Sequence, residues 1–339
     1  MTTLINERAL RRFVVLGMVA ISAVYFLILV GGTVRATGAG MGCPDWPLCF
    51  GRLIPPTDES QLPANWRQTY ADRGYDTAPF EPIKTWIEYV NRLVGATIGL
   101  LILAFAILSA GFRKTDPVVV WCSLGALLAV AFNGWLGSQV VASNLRPVMI
   151  SLHMAGAFVV QMFLIYATVR ASRHQFIEQI KGGLPNWFRH LLLATMAAML
   201  VQIYLGVQIR ESVDLISRAA TETQRAQWIE LVPWIFYVHR SWSWVILLLA
   251  VFLVFKIFKS PLRQTRVGLA AWWLVGFIVF EMILGGALNH LGFPAVAQPT
   301  HLLVAHLIFG ALWFKWCVLS VSQTQEQGPA FKHPTTATT

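Results

Sequence analysis

The chain has 339 residues, of which 56% are hydrophobic and 12% are charged, with a formal net charge of +10 at pH 7. This composition is too apolar for an ordinary soluble domain and predicts an integral membrane protein. The positive charge alone would suit a nucleic-acid partner, so the positions of the basic residues must decide that question.

Eight apolar segments follow one another along the chain. A bilayer core of roughly 30 Å favours helices of about 20 apolar residues, because a lipid-exposed backbone must satisfy its own hydrogen bonds. The first segment is longer than the apolar part of a signal peptide, so we expect a retained helix. The predicted spans are 13–31, 89–111, 118–142, 148–169, 190–209, 234–258, 267–289 and 300–321.

The linkers between these spans differ in charge from one side to the other. Basic residues fill the N-terminus and the linkers at 113–114, 170–189 and 256–266, whereas the acids collect in the opposite linkers. Basic linkers face the cytoplasm, so both termini are predicted to be cytoplasmic. This asymmetry accounts for the charge without nucleic acid, and we expect a multi-pass protein of a bacterial plasma membrane.

The first predicted external loop, 32–87, contains the segment CPDWPLC with Cys43 and Cys49. Cysteines in an oxidising compartment tend to form disulfides. Metal binding is the weaker interpretation, because no third ligand lies nearby in the sequence.

Short motifs repeat between the two halves of the chain. The pairs are GGTVR (31–35) with GVQIR (206–210), YVNR (89–92) with YVHR (237–240), WLGS (135–138) with ILGG (283–286), and SLHMAGAF (151–158) with VAHLIFGAL (304–312). The order predicts an all-α integral membrane protein of two pseudo-symmetric four-helix bundles. We place the halves at 1–170 and 190–322, with a cytoplasmic linker at 171–189 and a cytoplasmic tail at 323–339.

Four residues are predicted to lie at a similar depth in the membrane: Asn91, His153, His239 and His306. Three of them are histidines, which can bind a metal, and Asn91 occupies the position that a histidine has in the other half. Paired histidines on facing helices can hold a haem from both sides, which predicts His239 and His306 as iron ligands. Two buried imidazoles satisfied by neighbours are the alternative. In the first half an amide replaces one imidazole, so His153 would be the sole strong ligand and the other face of the iron would stay open.

Charged residues surround these positions. Glu88 precedes Asn91 by three residues and shares its helix face, which suits acid–base chemistry or an ion pair with Arg92. We expect Arg92 and Arg240 to bind haem propionates, whereas Arg35 and Arg210 suit either propionates or snorkelling. Two more histidines lie on this side, His301 and His290. Three interpretations stay open for each: a surface residue, an alternative iron ligand and a proton carrier.

Four stretches together resemble the haem A synthases. They are GGTVRATGAGMGCPDWPLCFG (31–51), EYVNRLVGATIG (88–99), SLHMAGA (151–157) and YVHR (237–240). The resemblance implies an eight-helix enzyme that oxidises a methyl group of haem o to a formyl group, giving haem a for terminal oxidases.

The resemblance also implies roles for single residues. It places a haem b cofactor on His239 and His306, the substrate haem on Asn91 and His153, and an acidic residue that takes part in catalysis at Glu88. It implies the loop cysteine pair as well. The sequence departs from the commonest family pattern at Asn91, where many members have histidine, and in the second half, which has no external cysteine pair.

The implied partners are haem o, an electron-transfer protein, a haem o synthase and a terminal oxidase, with a homo-oligomer as a further expectation. Two other functions stay open. One is a membrane b-type electron-transfer cytochrome without substrate turnover, and the other is a haem transporter or chaperone.

Overall fold

The structure is a computed structural model that describes residues 6–177, 186–219, 231–264 and 266–326. Within these residues, eight helices are long and apolar enough to cross a membrane, which confirms the predicted all-α membrane fold. They are α1 (Glu7–Ala36), α2 (Pro82–Ser109), α3 (Pro117–Ala142), α4 (Pro147–Ala171), α5 (Asn186–Ala219), α6 (Ile235–Phe258), α7 (Arg266–His290) and α8 (Ala297–Glu326).

The helices extend beyond the predicted spans at several ends. Residues Pro82, Pro117 and Pro147 begin α2, α3 and α4, where the missing amide hydrogen of proline leaves no bond unmade. By contrast, α1 and α5 continue into polar sequence that an apolar-segment search does not detect. The predicted linker at 171–189 and tail at 323–339 stay predictions, because residues 178–185 and 327–339 lie outside the described residues.

Contacts between the helices form two rings. In the first half α1 packs on α2 and α4, and α3 packs on α2 and α4; in the second half α5, α6, α7 and α8 form a similar ring. One apolar cluster surrounds Ile102 and Phe105 in the first half. A second cluster surrounds Leu253 and Leu274 and also includes Phe158 of α4. Helix α8 also packs on α1 and α4, so it joins the two halves.

The segment between α1 and α2 folds over one end of the first half, which we call the loop end. The predicted disulfide between Cys43 and Cys49 is confirmed there. The carboxylate of Asp45 accepts hydrogen bonds from the backbone of Phe50 at 2.7 Å and from the Tyr70 hydroxyl at 3.3 Å. Burial and the nearby Asp45 carboxylate raise the pKa of Tyr70 to about 12, so the hydroxyl remains a donor.

Asp116 ties α3 to α4 at the opposite end of the bundle. This carboxylate is buried, and it accepts a hydrogen bond from Arg170 Nε at 2.9 Å and forms an ion pair with Arg173. A carboxylate that two guanidinium groups bind contributes more than an exposed surface pair.

We expect Asp116→Asn to lower the free energy of unfolding by about 2 kcal/mol, because the amide cannot bind two cations as the carboxylate does. Thermal unfolding in detergent measures this effect. The matched control is Asp72→Asn, at an exposed loop aspartate beside Arg73. Equal melting temperatures for the two variants would show that the Asp116 ion pairs do not stabilise the bundle.

Candidate functional site

The predicted site of the first half lies near the loop end. Gly31 of α1 faces Asn91 of α2, so that a Cβ on Gly31 would lie 3.8 Å from Asn91 Oδ1. On α4, His153 Nδ1 lies 3.0 Å from the backbone carbonyl of Asn133, and Gly137 of α3 lies against the same ring. A carbonyl can only accept, so Nδ1 carries the proton and Nε2 keeps the lone pair that can bind a metal.

Glu88 is buried on α2, about one helical turn before Asn91, and is bound to Arg92. Its Oε1 accepts a hydrogen bond from Arg92 Nε at 3.0 Å, so the ion pair that the sequence left open is present. The other guanidinium nitrogens of Arg92 donate to backbone carbonyls of the disulfide loop, those of Cys43 at 3.0 Å, Asp45 at 2.7 Å and Leu48 at 2.9 Å. These contacts use four of the five N–H donors of Arg92, so they do not favour propionate binding by Arg92, which stays a prediction.

A large cavity, which we call the second-half cavity, lies between α5, α6, α7 and α8 and is bounded on the first-half side by α4 and by Gly32 and Arg35 of α1. Its volume is about 860 Å³, and apolar residues form most of its wall. Three histidines contribute to the wall: His239, His301 and His306. A cavity of this size and character is typical of a site for a cofactor or another organic ligand.

His239 is held by α5. Gln202 donates to the His239 backbone carbonyl at 3.1 Å and lies 3.4 Å from ring Nε2, and Gly206 lies against the ring. Its Nδ1 is buried and has no hydrogen-bond partner among the described residues. Buried polar atoms normally have a partner, so this nitrogen is suited to bind a group that the polypeptide does not supply.

His301 lies beside Glu281, an acidic residue that was not among the site residues predicted from the sequence. Its Nδ1 is 3.2 Å from Oε1 of Glu281 on α7, within ion-pair distance although the direction is poor for a hydrogen bond. The second carboxylate oxygen, Oε2, is buried without a hydrogen-bond partner in the described chain. An ionisable residue within the predicted span 267–289 was the signal that could have revealed Glu281.

His306 has a different environment, between α8 and α4. Its ring stacks on Phe158, with the ring centroids 3.8 Å apart and the planes inclined by 8°. Nδ1 lies 3.2 Å from Gln161 Oε1, and the residue is 1% exposed. These contacts match the open alternative, a buried imidazole satisfied by its neighbours, although the ring also reaches the cavity wall.

The structure sets the register between the halves. Asn91 and His239 are 148 residues apart (239 − 91), as are His153 and His301 (301 − 153). The contacts repeat as well, because Gly285 lies against His301 as Gly137, 148 residues before it, lies against His153. His301 is therefore the counterpart of His153, which corrects the pairing of His153 with His306 that the short motifs suggested. Iron ligation by His306 stays a prediction, and the geometry does not favour it.

Among the predicted arginines, Arg35 and Arg210 line the second-half cavity, and Arg210 has donors without hydrogen-bond partners among the described residues. Its Nη1 contacts Met154 Sδ at 3.3 Å, and its Nε and Nη2 are buried without hydrogen-bond partners in the described structure. The nearest acid is Asp214, 3.7 Å from Nε, and that carboxylate also pairs with Arg35. Arg210 therefore suits an anionic group of a bound ligand.

The two remaining predicted residues lie away from these contacts. Arg240 is exposed, and its guanidinium lies 5.4 Å from the ring centroid of Tyr237. His290 is exposed at the end of α7, beside Asn289. Neither position favours iron or propionate binding.

Comparisons with known proteins identify a family model that covers most of the chain. A family model named COX15-CtaA and described as "Cytochrome oxidase assembly protein" matches residues 14–313. A protein of Shewanella oneidensis named "Heme A synthase" is 30% identical over 182 residues, 53% of this chain and 51% of that protein. Proteins of the same name match over more of their length: the one from Exiguobacterium sibiricum is 22% identical, covering 84% of this chain and 88% of the relative.

A further relative, from Alkalihalophilus pseudofirmus, is also named "Heme A synthase". It is 22% identical over 322 residues, which cover 91% of this chain and 98% of that protein. The family model spans both the Glu88–His153 region and the second-half cavity. The chain belongs to the COX15-CtaA family of cytochrome oxidase assembly proteins.

Proposed function

We propose that this protein is a haem A synthase, an oxidoreductase that converts a methyl group of haem o into the formyl group of haem a. The observation that carries the proposal is the family match over residues 14–313, which includes the candidate sites of both halves. The name "Heme A synthase", given to relatives aligned over most of their length, supports the same activity. These comparisons do not favour an electron-transfer cytochrome without turnover.

The second half fits a haem b cofactor. Its cavity is large and mostly apolar, His239 Nδ1 has no hydrogen-bond partner among the described residues, and Arg210 lines the cavity with two nitrogens that lack hydrogen-bond partners there. We assign the iron ligands to His239 and His301, in place of His306, because His301 occupies the position equivalent to His153. When bound, haem b supplies one-electron transfer to and from the substrate site.

The residues around that cavity orient the ligands. Gln202 fixes the backbone and ring of His239, and Glu281 lies against the ring of His301. Arg210 would neutralise a propionate, which is otherwise expensive to place in an apolar cavity.

The first half is proposed to bind haem o as substrate. His153 is the iron ligand through Nε2, because the Asn133 carbonyl holds its Nδ1 proton. Asn91 belongs to the facing helix, and its amide is a poor iron ligand, so one side of the substrate iron stays accessible. In this proposal the first half, with one histidine ligand, is the site of turnover. The second half, with two histidine ligands, is the site of electron storage.

In two successive two-electron oxidations the methyl group takes up two hydroxyl groups from water, and four protons and four electrons are released in total. Loss of one water from the resulting gem-diol leaves the formyl group. Glu88 would accept a proton released at the methyl carbon or stabilise positive charge developing there. Arg92 fixes the direction of that carboxylate by a 3.0 Å hydrogen bond. The four electrons pass to an external electron-transfer partner.

The cell supplies the rest of the pathway in this proposal. The protein resides in a bacterial plasma membrane, with both termini in the cytoplasm and the disulfide loop outside. A haem o synthase provides the substrate and a terminal oxidase receives the product.

Pigment analysis tests this proposal. We expect cells that make haem o but lack their own haem A synthase to accumulate haem a when this protein is expressed. The purified protein should contain haem b together with haem o or haem a, identified by extraction and mass spectrometry. Haem b alone, in two equivalent sites and without haem a in the cells, would instead indicate an electron-transfer cytochrome.

A further inference from the structure

Glu281 has no role in the proposed oxidation, yet it lies in the middle of α7, within an apolar segment that can cross a membrane. Its side chain is 15% exposed, and Oε2 has no hydrogen-bond partner among the described residues. Ionisable residues are expensive at such positions and usually mark function. We therefore expect this carboxylate to have a function besides packing.

The equivalent position in the first half indicates what this function is. Asn133 stands 148 residues before Glu281 (281 − 133), in the same register that relates His153 to His301. In the first half, the backbone carbonyl of Asn133 faces Nδ1 of His153 at 3.0 Å. In the second half, a carboxylate oxygen of Glu281 faces Nδ1 of His301 at 3.2 Å. Equivalent ring nitrogens thus face a neutral carbonyl in one half and a carboxyl group in the other.

We propose that Glu281 is a positioning residue that lowers the reduction potential of the second-half iron through His301. This inference rests on the haem b site of the proposed function. A carboxylate beside the free nitrogen of a ligating imidazole makes the imidazole more basic, and a more basic ligand stabilises oxidised iron. The second-half centre would then rest in its oxidised form, the form that can accept an electron from the substrate site.

The direct test is the midpoint potential of bound haem b in the full-length protein. Glu281→Gln keeps the size of the side chain and an oxygen acceptor but removes the charge. Loss of such an outer contact typically changes the properties of a metal site by a factor of 10 to 100. We expect at least a tenfold shift towards reduced iron, about +59 mV for a one-electron couple, in a potentiometric titration followed by the reduced absorption spectrum.

Glu211→Gln is the matched control, because Glu211 lines the same cavity from α5. We expect this variant to keep the wild-type potential within a small fraction of the Glu281→Gln shift. An equal rise in both variants would show a general effect of cavity charge and would overturn the role of the His301 contact. An unchanged potential in Glu281→Gln would overturn it as well.

Glu281→Asp provides a second test in case the Glu281→Gln variant does not fold. The shorter carboxylate lengthens the contact with His301, so the potential should rise, but less than in Glu281→Gln. A potential identical to wild type in Glu281→Asp would contradict the inference. Absence of any haem b spectrum in the wild-type protein would instead contradict the proposed function, so the two failures are distinguishable.

Discussion

Replacing His301 with Ala will remove most of the bound haem b from the purified protein. The proposed iron would lose one of its two imidazole ligands, and the remaining cavity wall near Glu281 offers a carboxylate in place of a nitrogen donor. Loss of an outer-shell contact alone commonly lowers metal affinity by 10-fold or more, so loss of a direct ligand should exceed that. The haem b content per protein, measured after extraction, and the reduced absorption spectrum provide the measurement.

His306→Phe is the matched variant and should retain the spectrum. Phenylalanine can keep the stack on Phe158, and only the contact with Gln161 is lost, at a cost of about 1 kcal/mol of stability. The reverse outcome, in which His306→Phe loses haem b and His301→Ala keeps it, would show that His306 is the ligand. It would also show that the register between the halves does not predict the ligand pair.

The fold was largely accessible from the sequence, because hydropathy and charge act locally along the chain. Eight apolar segments gave eight helices, and proline marked the starts of α2, α3 and α4. The disulfide was also predictable, since Cys43 and Cys49 are close in sequence and lie in a polar loop. The polar ends of α1 and α5 were missed, because a helix can continue after its apolar segment stops.

The candidate site was less accessible, because its contacts join distant positions. Local similarity after a histidine, MAGAF in one half and LIFGAL in the other, suggested His306 as the counterpart of His153. An ungapped count aligns His306 with Phe158 instead, and only the glycine contacts of His153 and His301 decide between the two registers. The loop carbonyls that bind Arg92 lie 44 to 49 residues away, so no local pattern could have revealed them.

Glu88→Gln will nearly abolish haem a formation and leave the haem b spectrum of the second half unchanged. The amide cannot accept a proton or balance positive charge at the substrate methyl group, and a positioned acid or base typically contributes a factor of 100 to 10,000 to the rate. We therefore expect at least a 100-fold loss in haem a produced per protein, measured by mass spectrometry of extracted haems. The side chain keeps its size, so the hydrogen bond from Arg92 Nε to an oxygen can persist.

Two further variants distinguish a catalytic role of Glu88 from a structural role of its ion pair with Arg92. Glu81→Gln makes the same change at an exposed residue just before α2, bound to Lys84, and should retain full activity. Arg92→Lys keeps the positive charge but cannot bind Glu88 and three loop carbonyls together, so it should lower both haem a formation and the melting temperature. If Glu88→Gln retained wild-type haem a formation while Arg92→Lys lost it, Glu88 would have no part in the chemistry. The ion pair would then serve only to anchor the disulfide loop over the first-half site.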